Sequence, residues 1–495
     1  MNDATRLFGL LVLSTLAWRA PAAEPADVPQ VAASLDPLFT AFMAENHVPG
    51  LVFGVVHDGK LVYTRGLGIQ DTATHTPVDA DTVFRIASMS KQFSALATLK
   101  LRDAGKLELD APAERYLPEL ARWKYPTADS PKIRVRDLLS HAAGFVTDDP
   151  WGDRQLPMSE DDFTTFAAAG VPFSRAPGTG YEYSNFGYAL VGRLVTNVAK
   201  RNYADYITAN FLKPLGMDAS TYDIATIPKA HHAIGYRWEN DAWREEPALG
   251  PGAFGAMGGL ATSANDYAKY VAWVLSAWPP RDGAESPILR RASVREITRP
   301  ANYTISFPPL DATGCARSSG YGFGVHSQND CILGQHFLHS GGLPGYGSNV
   351  LFVPNRSLAV FAFANRTYAP ASRVVRDAAN LLVKSGAFPV RAAALSPALR
   401  AMLDAAVHIY ASGDVMSEPA AFAMNFFLDR DATLRNADIA ALREKTGACR
   451  APDAPTADNA MSGTFELPCE HGTVKVNLIL APSGKPSLQK LDFTQ

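Results

Sequence analysis

An α+β fold is what this sequence predicts, and three observations carry the prediction. Strand-like runs gather at the two ends of the stretch 30–385: Leu51–Val56 and Lys60–Thr64 first, then Phe323–His326, His336–His339, Asn349–Val353 and Leu358–Ala364. Between these groups apolar residues recur at helical spacing. Strands and helices are thus segregated, without the alternation of strand and helix that builds a parallel sheet.

The first helix places Leu35, Leu38, Phe39, Phe42 and Met43 on one face, and His47-Val-Pro-Gly50 ends it. Asp58-Gly59 joins the first two strands as a hairpin turn, since both residues tolerate positive φ. A long helical pattern then runs through Met89, Phe93, Leu96, Ala97 and Leu101, stopped at Gly105. Val135–His141 is a short helix closed at Gly144. Ser159 caps the next helix, with Asp162 in its first turn. Ala176–Gly180 is a turn that delivers Tyr181-Glu-Tyr-Ser-Asn185 to a helix through Leu190, Val191, Leu194 and Val198. A further helix spans about Tyr203–Leu215. Five glycines between Gly250 and Gly259 form a loop, and Ser263 with Asp266 opens the helix Tyr267–Trp278. Ala142–Pro157 and Pro279–Tyr321 read as loops, and a helix at about Ala371–Lys384 follows the late strands.

Pro389 to Pro397 reads as a linker, dividing a large unit (24–388) from a small C-terminal α+β module (389–495) of unassigned role. That module has helical patterns at Leu399–Tyr410 and Ala437–Lys445, then strands at Ser462–Leu467, Thr473–Leu480 and Ser487–Phe493. At 495 residues the chain has room for both units. Residues 1–23 read as a secretory signal: Arg6 in the n-region, Leu7 to Trp18 as the apolar core, and Ala20-Pro21-Ala22 as a small-x-small cleavage site. No other apolar run reaches membrane-spanning length, so no transmembrane domain is expected after signal removal. The expected location is secreted or periplasmic, where disulfides form. Four cysteines allow three connectivities, of which Cys315–Cys331 with Cys449–Cys469 is the simplest. A net charge of −3 and the lack of a basic cluster argue against nucleic acid as a partner. No cysteine pair has metal-ligand spacing, and no metal or cofactor is expected.

Three stretches carry chemistry. In Ser88-Met-Ser-Lys91 a hydroxyl and an amine three residues apart share one helical face. Ser is a weak nucleophile until a base takes its proton, and a Lys becomes that base when burial lowers its pKa towards roughly 7–8. The same spacing in Ser487-Leu-Gln-Lys490 lies in a strand, where i and i+3 face opposite sides, so spacing alone decides nothing. Tyr183-Ser-Asn185 precedes a helix. A nearby ammonium would lower the Tyr183 pKa from about 10 and suit it to relay protons. Asn185 offers a donor and an acceptor for a substrate amide or for orienting Lys91. His339-Ser-Gly341-Gly342 ends a strand-like run, with a histidine able to carry or transfer charge near neutral pH and glycines that expose backbone N–H groups.

Together these motifs resemble the serine β-lactamase and penicillin-binding-protein superfamily, in its class C-like branch of esterases, D-aminopeptidases and β-lactamase-related proteins. The likeness covers about residues 30–385. It extends to Val135-Arg-Asp-Leu-Leu-Ser-His-Ala-Ala-Gly144, Pro177–Gly187 and Gly258-Gly-Leu-Ala-Thr-Ser263. The resemblance implies an antiparallel sheet flanked by helices, plus an all-helical region. It implies acyl-enzyme chemistry with Ser88 as nucleophile and with Lys91 and Tyr183 sharing the proton. Backbone N–H groups of Ser88 and Gly342 would form the oxyanion hole beside Gly341. Asn185 would hold the acyl side chain, and His339 would line the leaving-group side. Many relatives have Lys-Thr-Gly where this chain has His339-Ser-Gly. The missing charge shifts the expected substrate from β-lactams to small esters, amides or peptides, most of all an ester or a D-residue peptide. The alternatives are a weak β-lactamase or cell-wall D-peptidase, and a sensor that acylates without turnover. The sequence leaves oligomeric state open.

Overall fold

A computed structural model describes residues 27–307, 315–391 and 394–495, so the signal-like segment 1–23 lies outside the described residues. Its centre is set by strands that are apolar at nearly every position. Gly50–His57 (β1), Tyr346–Val353 and Leu358–Ala364 are buried almost throughout because both of their faces are covered. The period of two divides their side chains between two cores. Val52, Val56, Val350, Phe352, Phe361 and Phe363 enter the larger one. Leu51, Phe53, Val55, Leu351, Val353, Val360 and Ala362 enter the smaller one.

The remaining strands are Lys60–Asp71 (β2), Thr76–Pro77 (β3), Asn302–Phe307 (β4), Arg317–Tyr321 (β5), His326–Asp330 (β6) and Gly334–Leu343 (β7), with Tyr346–Val353 as β8 and Leu358–Ala364 as β9. All nine form one antiparallel sheet in the order β3-β2-β1-β9-β8-β7-β6-β5-β4. Pairing of Leu51–His57 with Leu358–Ala364 closes the two sequence groups into one layer. The β1–β2 hairpin turns at Asp58 (φ 50°) and Gly59 (φ 75°), the two left-handed residues such a turn requires. One face carries helices α1 (Asp36–Glu45) and α5 (Ala371–Lys384), whose Phe39, Phe42, Val374, Val375, Ala378 and Leu382 fill the smaller core. The other face carries the helical region, with α2 (Lys91–Asp103), α3 (Asn185–Ala199) and α4 (Ala264–Leu275) packed into the larger core.

Several readings change. Phe323–His326 is not a strand: the chain turns through residues 322–325, and β5 and β6 flank that turn. Asn302–Phe307 and Arg317–Tyr321 are strands inside a stretch that read as loop. These strands lie toward one edge of the sheet, and sequences such as Arg317-Ser-Ser-Gly320 and Ser327-Gln-Asn-Asp330 lack the apolar alternation of a buried strand. The glycine-rich loop holds a short helix, Gly255–Gly258, whose Ala256 packs against Gly192 of α3. Residues 203–212 begin as an α-helical turn and continue as a wider π-type turn.

Beyond residue 396, helices α6 (Pro397–Ser412) and α7 (Ala432–Thr446) cover a three-stranded antiparallel sheet of Ser462–Cys469 (β10), Gly472–Leu480 (β11) and Leu488–Thr494 (β12). Leu399, Leu403, Phe465, Val476 and Leu488 belong to a core of their own. Disulfides join Cys315 to Cys331 and Cys449 to Cys469. Among the described residues no helix is long and apolar enough to cross a membrane.

Phe363 anchors the larger core, with its ring 5.3 Å from those of Phe361 and Tyr267. Phe363→Ala removes a fully buried ring, and urea denaturation should show a loss of about 3–5 kcal/mol.

Candidate active site

Ser88 sits in a 3₁₀ turn, Ala87–Ser90, that feeds directly into α2. Ala87 before it adopts φ 49°, a left-handed conformation costly for a residue with a Cβ. The turn holds this geometry because it is clamped on both sides. Ile86 N–H donates to Leu260 O (3.0 Å), and Leu260 N–H donates to Ser90 Oγ (3.1 Å). On the other side Ser348 Oγ–H of β8 donates to Ile86 O (2.8 Å). Strand β7 passes so near that any side chain at Gly341 would collide with Ile86 O and Ser348 Oγ. Glycine is needed there for close approach.

Lys91 follows Ser88 by one helical turn, and it is fully buried. Its Nζ donates to Ser88 Oγ (2.9 Å), Asn185 Oδ1 (2.7 Å) and Met257 O (2.7 Å). Three acceptors match the three protons of an ammonium. Desolvation lowers the Lys91 pKa to about 8, against the pull of Asp149, Asp153 and Asp148 towards the charged form. A neutral amine in this cage keeps its bonds to Asn185 and Met257 and turns its lone pair to Ser88 Oγ. The decoy pair behaves as its strand position dictates: Lys490 is exposed on β12, with Nζ 3.3 Å from Asp492.

Tyr183 reaches the same place from the turn before α3, with Lys91 Nζ 4.8 Å from its ring centre and Ser88 as a hydrogen-bonding neighbour. Its pKa moves opposite to the expectation. Burial, then the Asp149 charge, push it well above the usual value, outweighing any help from Lys91. This setting favours the neutral phenol at Tyr183, and Lys91 is the member of the pair whose pKa is lowered.

Asn185 is more committed than its motif suggested. Its Oδ1 accepts from Lys91, while Nδ2 donates to Asp149 Oδ1 and to Asp153 Oδ1 (3.4 Å). The amide bridges Lys91 to carboxylates rather than waiting for a substrate amide. Asp148 supplies the next layer. Its carboxylate accepts from the N–H groups of Asn185 and Phe186 (2.7 Å each) and from Ser184 Oγ (3.2 Å), capping α3 from another segment. His141 Nδ1 accepts from Ser184 N–H (3.1 Å), its ring 4.4 Å from that of Tyr183.

His339 lies beside these groups on β7, 2% exposed. Nδ1 lies 2.6 Å from Ser340 O, which can only accept, so Nδ1 carries the proton and Nε2 accepts from Tyr321 O–H (2.9 Å). Burial first, then the neighbouring His326 and Lys91, push its pKa well below 6.5. This setting favours the neutral imidazole at neutral pH. Ser88, Tyr183, His339, Gly341 and Gly342 line one cavity of about 450 Å³.

The motif reading therefore converges: all seven residues it singled out lie at this place. It missed Asp148, Asp149, Asp153, Tyr321 and Tyr368. Three aspartates within six residues, 148–153, were the available signal, set in a loop whose path the sequence does not reveal. Among the described residues no group of His, Cys, Asp and Glu is arranged to hold a metal ion.

A family profile described as Beta-lactamase matches residues 35–385. The chain belongs to the β-lactamase family. This family member is 27% identical over 352 residues to Protein flp of Staphylococcus aureus (strain NCTC 8325 / PS 47), covering 68% of this chain and 64% of that protein. The match thus spans less than two thirds of that curated relative's length. It is 32% identical over 215 residues to Esterase EstB of Burkholderia gladioli, covering 41% of this chain and 54% of the esterase. In fold it is similar to the octameric penicillin-binding protein homologue from Pyrococcus abyssi, with TM-score 0.59, 19% identity, and coverage of 93% and 97% of the two chains.

Asp148→Ala should leave the first N–H groups of α3 without an acceptor. Denaturation midpoints are expected to register a loss of about 1–3 kcal/mol.

Proposed function

We propose that this chain is an exported serine hydrolase that cleaves ester or amide bonds through an acyl-enzyme on Ser88. The observation that carries the reading is the 2.9 Å contact of Ser88 Oγ with a buried Lys91 whose pKa is lowered to about 8. In the first step Lys91, as the free amine, takes the Ser88 proton while Oγ attacks the substrate carbonyl. Backbone N–H groups of Ser88 and Gly342 hold the developing oxyanion, a contribution typically of about a hundred- to a thousandfold per donor. Collapse of that intermediate breaks the bond to the leaving group, which receives the proton from Lys91 through the Tyr183 hydroxyl. Water then attacks the acyl-Ser88 ester, giving its proton to Lys91, and Ser88 is restored.

A neutral His339 gives a substrate carboxylate no cation to pair with at this position, which favours an ester or a D-residue peptide over a β-lactam. Similarity to an esterase supports the same choice. A weak β-lactamase or cell-wall D-peptidase activity is the runner-up. Export is supported by the two disulfides and by the signal-like sequence at 1–23. In this reading residues 389–495 act as an accessory module.

Wild type should hydrolyse a short-chain nitrophenyl ester faster than a chromogenic cephalosporin, with Ser88→Ala silent and mass spectrometry placing the acyl adduct on Ser88. Equal rates for wild type and Ser88→Ala would overturn the assignment, and a stable adduct without turnover would indicate a sensor.

The pH profile follows from the same lysine. Only neutral Lys91 accepts a proton, and its pKa is depressed, so kcat/KM should rise with pH through a midpoint near 8. Lys91→Arg stays charged throughout and should lose roughly a hundred- to ten-thousandfold in kcat/KM.

A further inference from the structure

Of the seven residues that the motifs singled out, Tyr183 alone lies in neither helix nor strand, so its aim depends on contacts from elsewhere. We infer that His141 is a positioning residue that aims the Tyr183 hydroxyl by holding the backbone on both sides of it. The inference rests on the serine-hydrolase reading, because it gives a residue a part in the proton transfer of that reaction.

His141 O accepts from Glu182 N–H (2.9 Å), and His141 Nδ1 accepts from Ser184 N–H (3.1 Å). One residue thus takes the N–H groups of both neighbours of Tyr183. Its ring also packs on the tyrosine, with the ring centres 4.4 Å apart. His141 is itself fixed, just past the short helix Val135–Leu139. Ser140 O accepts from Asn302 Nδ2 of β4 (2.8 Å). Ala142 N–H donates to Asp137 O (2.8 Å), and Ala142 O accepts from Gly178 N–H (2.8 Å). These contacts keep His141 at φ 57°, a left-handed conformation unfavourable for a residue with a Cβ. Strain of this kind persists where the surroundings over-determine it, and it gathers at working sites.

The choice of histidine points the same way. An unprotonated Nδ1 leaves the proton on Nε2, and among the described residues Nε2 has no hydrogen-bond partner. Burying an unpaired donor is unfavourable, yet His141 is 2% exposed. Packing alone would be served as well by an apolar ring, so the acceptor at Nδ1 is what the histidine adds. Burial first, then the neighbouring Lys91, push its pKa well below 6.5, so Nδ1 stays free to accept. During acylation the bond to the leaving group breaks as its oxygen takes the Tyr183 hydroxyl proton, which Lys91 replaces. That transfer needs the hydroxyl within hydrogen-bond reach of the oxygen. A shift at residues 182–184 would move the hydroxyl, whereas Ser88 and Lys91 keep their contact within one helical turn.

The test compares phenyl acetate with p-nitrophenyl acetate on the full chain. Both give the same acetyl-Ser88, but phenolate needs a proton to leave far more than nitrophenolate does. An Asn side chain puts its oxygen where Nδ1 stands, and a Gln side chain puts it further out, toward Nε2. In Tyr183→Phe, kcat/KM for phenyl acetate should fall about tenfold or more beyond the fall for the nitrophenyl ester, and His141→Gln should show the same split. His141→Asn should restore a ratio close to that of wild type. Glycine suits the left-handed backbone and lacks the acceptor, so His141→Gly supplies the answer where His141→Gln does not fold. Equal losses on both esters in His141→Gln and His141→Gly, or a split in His141→Asn as large as theirs, overturn the inference. If Tyr183→Phe splits the esters while the His141 variants do not, the hydrolase reading survives that result. If wild type uses only the nitrophenyl ester, or Tyr183→Phe shows no split, the Tyr183 relay falls and the inference with it. If neither ester shows Ser88-dependent hydrolysis, the reading and the inference fall together.

Discussion

The burial of one amine organises this molecule. Lys91 is fully buried, and every proton of its charged form meets an acceptor contributed by a different segment: Ser88, Asn185 and Met257. Placing an ammonium in such a site is unfavourable unless all its donors are satisfied. The cage meets that condition while lowering the pKa to about 8. Stability of the cage and readiness of the base are therefore one arrangement. Anything that displaces α3 or the Gly255–Gly258 segment would disturb both.

The sheet supplies the rigidity. Strand β7 must lie flush against the Ser88 turn for Gly342 to face the same cavity as the nucleophile, and the Ser348–Ile86 hydrogen bond fixes that approach. The left-handed Ala87 is held in place by these contacts. On the other flank Asp148 fixes the start of α3, so that Tyr183 and Asn185 arrive with a set orientation. Ser88, Lys91 and Tyr183 thus come from two helix starts, and each start is held by groups from other elements.

Electrostatics divide the cavity. The third-motif side is neutral, because His339 is buried with both ring nitrogens engaged. The Asn185 side carries Asp149 and Asp153, and burial pushes the Asp153 carboxyl up to about 7. Family membership alone does not settle this division, since it depends on burial at His339 and on side chains outside the three motifs.

Much of the fold was legible in the chain because buried elements announce themselves by period. The strands Asn349–Val353 and Leu358–Ala364 are near-continuous apolar runs and the helix Ala371–Lys384 repeats at 3.6 residues, and each lies within a residue or a few of its expected place. Strands β4 to β6 escaped notice because their polar sequences lie toward the sheet edge, where apolar alternation is not required. The motifs determined where Ser88, Lys91, Tyr183 and His339 would meet. Local spacing fixes the Ser88–Lys91 pair, since one helical turn suffices. The tertiary structure alone decided the direction of the Tyr183 pKa, the commitment of Asn185 to two aspartates and the neutrality of His339. Those properties depend on desolvation and on groups brought together across some 20 to 250 positions of chain, and no local pattern encodes them.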